Sequence, residues 1–348
     1  MHAASPSSDS TQPIQAPGHV PVMLEQVLSF LQPCLGGDIL DGTLGGGGHA
    51  AALLESSRGK GRLLGLDRDP QALPVARQRL APFVGQHVTL HANFSQAAAV
   101  LRKLGWTGVD GLLLDLGFSS LQVEDGERGF SFLRPGPLDM RMDQSGGRSA
   151  ADIVNASSEE ELHRILREYG EERAARAIAR AILQERVHGP ITTTTALVKI
   201  IERSGRRPAR HRRYRKRKRV LHQPKMDTFP LRVHAATQTF QALRIAVNQE
   251  LQHLAVFLRE GYILLRPGGR MVVLSYHSLE DRLVKTAFRR WASTCICPPQ
   301  LQVCACDWEP QVRVLTPRPL TPTGQEVMEN TRARSARLRA VERCEGGG

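Results

Sequence analysis

A run of glycines between acidic residues is the part of this chain best suited to chemistry. Gly45 to Gly48 and His49 follow one short apolar run, and a second apolar run ends in Asp67. Glycines remove the Cβ atoms where backbone must approach a ligand, and they permit positive φ. A strand, a glycine turn, a helix and a strand ending in an acid form half of a nucleotide-binding unit, whose acid accepts ribose hydroxyls. The segment therefore predicts a site for a nucleoside-bearing cofactor, the alternative being an ordinary tight turn.

The acid ahead of the glycines indicates which cofactor to expect. A dinucleotide fingerprint brings a pyrophosphate to a helix N-terminus. The carboxylate of Asp41 would repel that group, whereas it would attract the cationic aminopropyl arm of S-adenosylmethionine. These residues therefore favour S-adenosylmethionine over NAD.

A parallel sheet is needed to bring these acids together. Short apolar runs at 39–40, 63–66, 88–91 and 109–114 alternate with amphipathic stretches. This pattern is typical of parallel strands with crossover helices, and such sheets bind ligands at the carboxyl ends of their strands. Because Asp41, Asp67 and Asp115 each end a run, we expect them at one edge of an α/β sheet.

The alternation stops soon after Asp115. Residues 122–230 show no strand pattern, and their amphipathic stretches predict helices. The α/β pattern then resumes with one long helix from Thr237 to about Leu258 and a strand at 271–274. We predict a sheet domain from residues 19–121 and 231–343, a helical insertion at 122–230, and a disordered tail at 1–18.

Composition narrows the class of protein. The 348 residues are 41% hydrophobic and 23% charged, as in ordinary globular proteins. No apolar run approaches the ~20 residues of a membrane helix, and the Ser- and Pro-rich N-terminus does not resemble a targeting peptide. Six cysteines in this length do not form a secreted disulfide framework. We therefore expect a cytoplasmic protein without a membrane partner.

Most of the net charge of +13 comes from one basic block at 206–219, which holds ten Lys and Arg and no acid. Such a block is typical of a solvated loop, of a nucleic-acid contact or of a nuclear localisation signal. If it contacts RNA, binding should weaken steeply with salt, because each neutralised phosphate releases counterions.

Longer motifs give the chain a specific resemblance. These motifs are Asp41-Gly-Thr to His49, Leu113-Leu-Asp-Leu-Gly-Phe-Ser-Ser120, Glu127-Arg-Gly-Phe-Ser-Phe132, Gly136-Pro-Leu-Asp-Met-Arg-Met142, Tyr169-Gly-Glu-Glu172, Phe240-Gln-Ala-Leu-Arg244, Ser275-Tyr-His-Ser-Leu-Glu-Asp281 and Asn330-Thr-Arg-Ala-Arg-Ser335. Through them the chain closely resembles, over about residues 19 to 343, the ribosomal RNA small subunit methyltransferase H family.

The resemblance implies a class I S-adenosylmethionine-dependent methyltransferase, with a Rossmann-like sheet and an inserted helical domain that recognises the substrate. It implies methylation of N4 of a cytidine near the decoding centre of 16S rRNA, so that 16S rRNA or the small ribosomal subunit is the expected partner. The oligomeric state stays open, a homodimer included. The cofactor-binding residues that it implies are Gly47, Gly48, His49, Asp67, Phe94, Asp115 and Gln122.

The sequence leaves two candidates for the catalytic residue. Many amino-methylating enzymes carry a D/N/S-P-P-Y/F/W motif after strand four, whereas this chain has Asp115-Leu-Gly-Phe118. Asp115 could still accept a hydrogen bond from the target amino group, and His277 could orient the substrate or remove a proton. The alternatives are a non-catalytic RNA-binding or ribosome-assembly factor and, less in keeping with the later motifs, an NAD-linked oxidoreductase.

Two cysteine pairs leave one further question. Cys295-x-Cys297 and Cys304-x-Cys306 supply four thiols, the number in a structural zinc site. Their spacing is tighter than the usual structural pattern, so the sequence-based interpretation assigns no metal and leaves open whether these four cysteines bind one.

Overall fold

The computed structural model describes residues 20–31, 36–204, 234–298, 301 and 303–345. The predicted tail at 1–18 and the basic block at 206–219 lie outside these ranges. Within them, no helix combines the length and the apolar character that a membrane span requires.

The described strands form one seven-stranded sheet in the order β3-β2-β1-β4-β5-β7-β6. Strands β1 to β5 run parallel, and β7 pairs antiparallel with both β5 and β6. This arrangement confirms the predicted fold class, a Rossmann-like class I methyltransferase sheet. The strands are β1 Asp38–Asp41, β2 Arg62–Asp67, β3 His87–His91, β4 Val109–Asp115, β5 Leu265–Ser275, β6 Val312–Val314 and β7 Arg337–Arg343.

Helices cover both faces of the sheet. Helices α1 to α3 pack on one face, and α4, α11 and α12 pack on the other. The α-helices of the described residues are α1 Leu24–Leu31, α2 Gly48–Ser56, α3 Ala72–Leu80, α4 Ala97–Lys103, α5 Ser120–Glu124, α6 Ala150–Ala156, α7 Glu159–Gly170, α8 Ala175–Arg186, α9 Thr194–Ser204, α10 Ala236–Asn248, α11 Glu250–Glu260, α12 Ser278–Trp291 and α13 Gly324–Glu329.

The order of the strands determines where a ligand binds. The connections from β1 and β4 leave in opposite directions across the sheet, so a crevice opens between the carboxyl ends of these two strands. Asp41 is the last residue of β1 and Asp115 is the last residue of β4. Asp67 ends the adjacent β2. All three acids therefore lie at the predicted edge.

A separate hydrophobic core is built by helices α6 to α9. Phe240 and Leu243 of α10 also belong to this core, although α10 follows the basic block in the sequence. Helix α10 thus packs with the helical region, while α11 packs on the sheet. The domain boundaries at 121 and 231 remain predictions.

One expected helix is in fact two. The helix predicted from Thr237 to about Leu258 breaks at Gln249, whose φ of 50° lies in the left-handed region. The break leaves the carbonyl of Asn248 free to accept a hydrogen bond from Arg68, at 2.6 Å. The Asn248 side chain also bonds to the backbone of Met140 and Met142. These tertiary bonds compensate for the helical bonds that the break removes.

Candidate functional site

The glycine turn is fixed to the strands on both sides of β1. The Gly42 amide donates to the carbonyl of Leu113 in β4, at 2.9 Å. On the other side, the Gly45 amide donates to Oδ2 of Asp67 at the end of β2, at 2.6 Å. The turn therefore has a defined position over the switch point between β1 and β4.

Both the backbone conformation and the close packing at position 47 require a glycine. Its φ is 75°, in the region that favours glycine, and it precedes the first turn of α2. An added Cβ would lie 3.2 Å from Cα of Ala76 in α3. The turn thus brings backbone without side chains to the N-terminus of α2, where Gly48 and His49 begin the helix.

Asp41, His49 and Asp115 form a polar group at this turn, in which Asp41 and His49 are buried and Asp115 is partly exposed. Nε2 of His49 lies 3.6 Å from Oδ2 of Asp115. Neither ring nitrogen of His49 has a hydrogen-bond partner among the described residues, although the side chain is buried. Buried polar atoms are ordinarily paired. The nitrogens therefore mark a place where a polar ligand group can bind.

Burial also changes the acidity of Asp41. It raises the pKa of this carboxyl to about 7, against the opposing charge of His49, while Asp115 and Asp67 add to the rise. A buried acid near neutrality is stabilised as the carboxylate when a cation binds beside it. The site thus suits a positively charged ligand.

Asp67 lies at the end of β2 and lines a second part of the crevice. Its two carboxylate oxygens accept hydrogen bonds from the amides of Gly45 and Asp69, at 2.6 and 2.7 Å. Burial raises the pKa of Asp67 to about 6, although these hydrogen bonds oppose the shift. Each oxygen keeps a second lone pair that can accept from a hydroxyl.

The carboxylate of Asp115 has a fixed orientation. The Tyr276 hydroxyl donates to Oδ1 of Asp115 at 2.7 Å, and Oδ2 faces His49. The Asp115 amide donates to the Thr43 hydroxyl at 2.6 Å. Burial raises the pKa of Tyr276 well above its usual range, and the adjacent Asp115 adds to the shift. Tyr276 therefore remains a hydrogen-bond donor across the physiological pH range.

Gln122 lies in a buried network behind the crevice. Its side-chain amide donates to Oδ2 of Asp69 at 2.8 Å, and its oxygen accepts from the Ser119 amide at 2.9 Å. Arg128 donates to the same oxygen of Asp69. These bonds support a role for Gln122 in shaping the pocket. Direct contact between Gln122 and the cofactor remains a prediction.

Phe94 follows β3 and packs edge-on against Phe257 of α11, with ring centroids 5.8 Å apart. It belongs to the core on that face of the sheet, and its side chain is only partly buried. The position beyond the end of a strand agrees with contact to an adenine, and that contact likewise remains a prediction.

His277 caps a helix. Its Nδ1 accepts from the Glu280 amide at the start of α12, and its Nε2 lies 3.1 Å from Oε1 of Glu280. Burial acts to raise the pKa of Glu280, but the hydrogen bond and charge of His277 hold it below its ordinary value. Nδ1 of His277 thus serves the cap, which favours a structural role over the catalytic alternative, while Nε2 lies near Glu280 without a hydrogen bond among the described residues.

The structure adds residues to which sequence reasoning assigned no role. Phe118 is exposed beside the crevice, and the guanidinium of Arg244 lies 4.6 Å from its ring centroid. Arg244 is held by two 2.9 Å hydrogen bonds to Glu250. The only sequence signal for Phe118 was its position three residues after Asp115, where amino-methylating enzymes often carry an aromatic residue.

Comparisons with known proteins show which sequences this chain is similar to. The sequence profile of the MraW methylase family matches residues 16–344. Similar proteins named ribosomal RNA small subunit methyltransferase H occur in Geobacter sulfurreducens and Pelobacter propionicus. The first is 51% identical over 93% of this chain and 98% of its own length. The second is 50% identical over the same shares of the two chains.

Proposed function

Because this chain belongs to the MraW methylase family, we propose that it methylates N4 of a cytidine near the decoding centre of 16S rRNA. Membership confirms the predicted methyltransferase class and S-adenosylmethionine as the cofactor. The small-subunit rRNA substrate follows from the names of the relatives. The choice of base and of atom is part of the proposal, as is a cytoplasmic location.

The polar group of Asp41, His49 and Asp115 is the observation that carries the proposal. S-adenosylmethionine supplies an electrophilic methyl group on a cationic sulfur and a zwitterionic amino acid end. We assign the amino acid end to the glycine turn at Gly47, Gly48 and the unpaired nitrogens of His49. Asp41 would attract the positive charges, and the free lone pairs of Asp67 would accept the ribose hydroxyls.

Asp115 is the residue best placed to act on the target amino group. The N4 lone pair of cytosine is delocalised into the ring, and a hydrogen bond donated from N4 to a carboxylate would make the lone pair more available. Tyr276 fixes Oδ1 of Asp115, so the carboxylate cannot rotate freely. The nearby Ser119 hydroxyl caps α5, and the Ser120 hydroxyl contacts Arg332. These serines are therefore weaker candidates as additional acceptors.

Phe118 provides a surface for the target base. Sequence-specific recognition of RNA commonly relies on unstacked bases that lie on aromatic side chains. The ring of Phe118 is 48% exposed. Arg244, itself buried and held by Glu250, supports the ring through a cation–π contact. We assign Phe118 to stacking on the cytosine.

The helical region and the basic block complete the proposal. We assign substrate recognition to residues 122–230, with the block at 206–219 contributing phosphate contacts. Phosphate contacts supply affinity without reading sequence, so the choice of cytidine would depend on the pocket near Phe118.

Nucleoside mass analysis of 16S rRNA tests the function directly. We expect N4-methylcytidine to disappear when the gene is deleted and to return with the wild-type gene. Complementation with Asp115→Asn should leave the nucleoside unmethylated, while the purified variant still binds S-adenosylmethionine. Persistence of the methylated nucleoside in the deletion strain would refute the proposal and favour the non-catalytic assembly factor.

A further inference from the structure

A group of four thiols lies in the segment between α12 and β6, outside the site described above. We call Cys295, Cys297, Cys304 and Cys306 the cysteine cluster; any two of them have their sulfurs within 4.8 Å. Sγ of Cys304 lies 3.4 Å from that of Cys295, 3.6 Å from that of Cys306 and 4.0 Å from that of Cys297. The Cys295 and Cys306 sulfurs are 3.7 Å apart.

We propose that the cysteine cluster binds one zinc ion through four thiolates. A tetrahedral site with Zn–S bonds of about 2.3 Å places its sulfurs about 3.8 Å apart, which agrees with the distances of 3.4 to 4.0 Å. An iron–sulfur cluster divides its four thiolates between two or four irons, so thiolates on different irons lie farther apart than those on a single ion. The cysteine cluster therefore suits a single ion. The sequence-based interpretation assigned no metal and left this question open.

Backbone amides already point at the sulfurs. The amide of Cys297 donates to Sγ of Cys295, and the amide of Ala305 donates to Sγ of Cys297, both at 3.4 Å. Four thiolates around a divalent ion leave a net negative charge. Hydrogen bonds donated to the ligand sulfurs stabilise that charge, as is usual around metal ligands.

The described residues of this segment bury little apolar surface, so a metal cross-link would stabilise it. Ile296, Leu301 and Val303 are all exposed, with 78% of Val303 accessible. The tertiary contacts of the segment include Trp308, whose indole donates to the Ser293 carbonyl at 3.1 Å and packs against Tyr262. Small regions without a core are commonly held by a metal or by disulfides.

The position of the cysteine cluster indicates a structural metal. Helix α12 begins after the carboxyl end of β5 and runs back across the sheet, so the cysteine cluster follows at the amino edge. Asp115 lies at the opposite edge. Four protein ligands also leave no open position for a substrate, as in structural zinc sites. The ion would join the end of α12 to the start of β6.

Metal content of the reduced full-length protein tests the proposal. After expression with added zinc and dialysis, we expect about one zinc per wild-type chain and a fall to near zero in Cys304→Ser. Cys344→Ser is the matched control, because Cys344 is a free thiol outside the cysteine cluster, and it should keep the metal. Cobalt(II) added to metal-free protein should give the visible absorption of a tetrahedral thiolate site in the wild type and in the control, and no such absorption in Cys304→Ser.

A measurement on the wild type alone keeps the proposal testable if Cys304→Ser does not fold. Titration with a mercurial should release the zinc as four thiols react. Wild-type protein that takes up neither zinc nor cobalt, that carries iron in place of zinc, or that is isolated with the four cysteines paired in disulfides would overturn the assignment.

Discussion

The Tyr276 hydroxyl donates a 2.7 Å hydrogen bond to Oδ1 of Asp115 and so joins the ends of β5 and β4. The bond fixes one oxygen of the proposed catalytic carboxylate, while the other oxygen faces His49. Tyr276 itself is partly buried and stays protonated. The proposed chemistry thus depends on Tyr276, whose role is to position Asp115.

Removing this hydroxyl should slow methyl transfer. A hydrogen bond to a charged group contributes about 1.5 to 3 kcal/mol, so Tyr276→Phe should lower kcat roughly 10- to 100-fold. Calorimetry should show cofactor affinity within about twofold of wild type, because Asp41 and Asp67 are unchanged. A variant that loses cofactor binding and keeps kcat would contradict the positioning role.

Cofactor affinity should depend on pH through Asp41. Because the pKa of Asp41 is raised to about 7 in the folded protein, the carboxylate that attracts the cation is lost as pH falls below 7. Affinity should then fall by up to about tenfold per pH unit. Asp41→Asn should bind more weakly and show a flatter profile between pH 6 and 8. An equally steep profile in the variant would assign the effect to another group, such as Asp67.

The raised pKa of Asp41 has the opposite effect on the stability of the ligand-free protein, which should fall as pH rises. A carboxyl whose pKa is raised by folding favours the folded state in its neutral form. The contribution of Asp41 to the free energy of unfolding is therefore complete below pH 3.8 and disappears as pH rises through about 7. Denaturant titrations of the wild type and of Asp41→Asn should diverge over this interval.

Phe118→Ala should weaken binding of the RNA substrate. Stacking of a base on an aromatic side chain contributes about 1 to 3 kcal/mol, so KM for the small subunit should rise roughly 5- to 100-fold. Phe118→Tyr should keep most of the affinity. Val84→Ala is the control, because Val84 is an exposed apolar residue that follows α3. Equal KM values for Phe118→Ala and the control would refute stacking.

His277 should tolerate asparagine. If its role is to cap α12, Asn can supply the same acceptor, and His277→Asn should keep both the Tm and kcat near wild type. His277→Ala should lose about 1 kcal/mol of stability. A folded His277→Asn protein with kcat reduced more than 100-fold would instead place the imidazole in the chemistry.

The basic block at 206–219 should set the salt dependence of RNA binding. Replacement of its ten Lys and Arg by Gln and Ser, at constant length, should make the slope of log K against log salt less steep, by about 0.7 to 0.9 for each phosphate that the block no longer neutralises. Filter binding at several salt concentrations measures the slope. An unchanged slope would show that the block is solvated in the complex.

Local patterns were sufficient to place three acids at one edge of the sheet, but they did not predict the C-terminal part of the sheet. Asp41, Asp67 and Asp115 could be placed because each ends an apolar run, and parallel strands share a carboxyl edge. Strand β7 was missed because it is rich in arginine. Arg339 is nevertheless buried, because its guanidinium donates a 2.6 Å hydrogen bond to Asp281 of α12. A buried ion pair between distant segments leaves no periodic signal in the sequence.

The break between α10 and α11 was missed for a related reason. The residue in the left-handed conformation is Gln249, and a glutamine, unlike a glycine or a proline, does not indicate the end of a helix. Arg68 and the backbone of Met140 and Met142 determine the break, and they lie more than 100 positions away. The hydrogen bond that the Tyr276 hydroxyl donates to Asp115 was likewise not predictable, because it requires β4 and β5 to be adjacent in the sheet.

The location of β7 between β5 and β6 has a consequence for synthesis. The ribosome makes β5 and β6 before residues 337–343, so β5 has an unpaired edge until β7 has emerged. Unpaired edges invite association with other chains. A ribosome that stalls within this last stretch would release a protein with its entire cofactor crevice and an open sheet, a form we expect to aggregate or to be degraded.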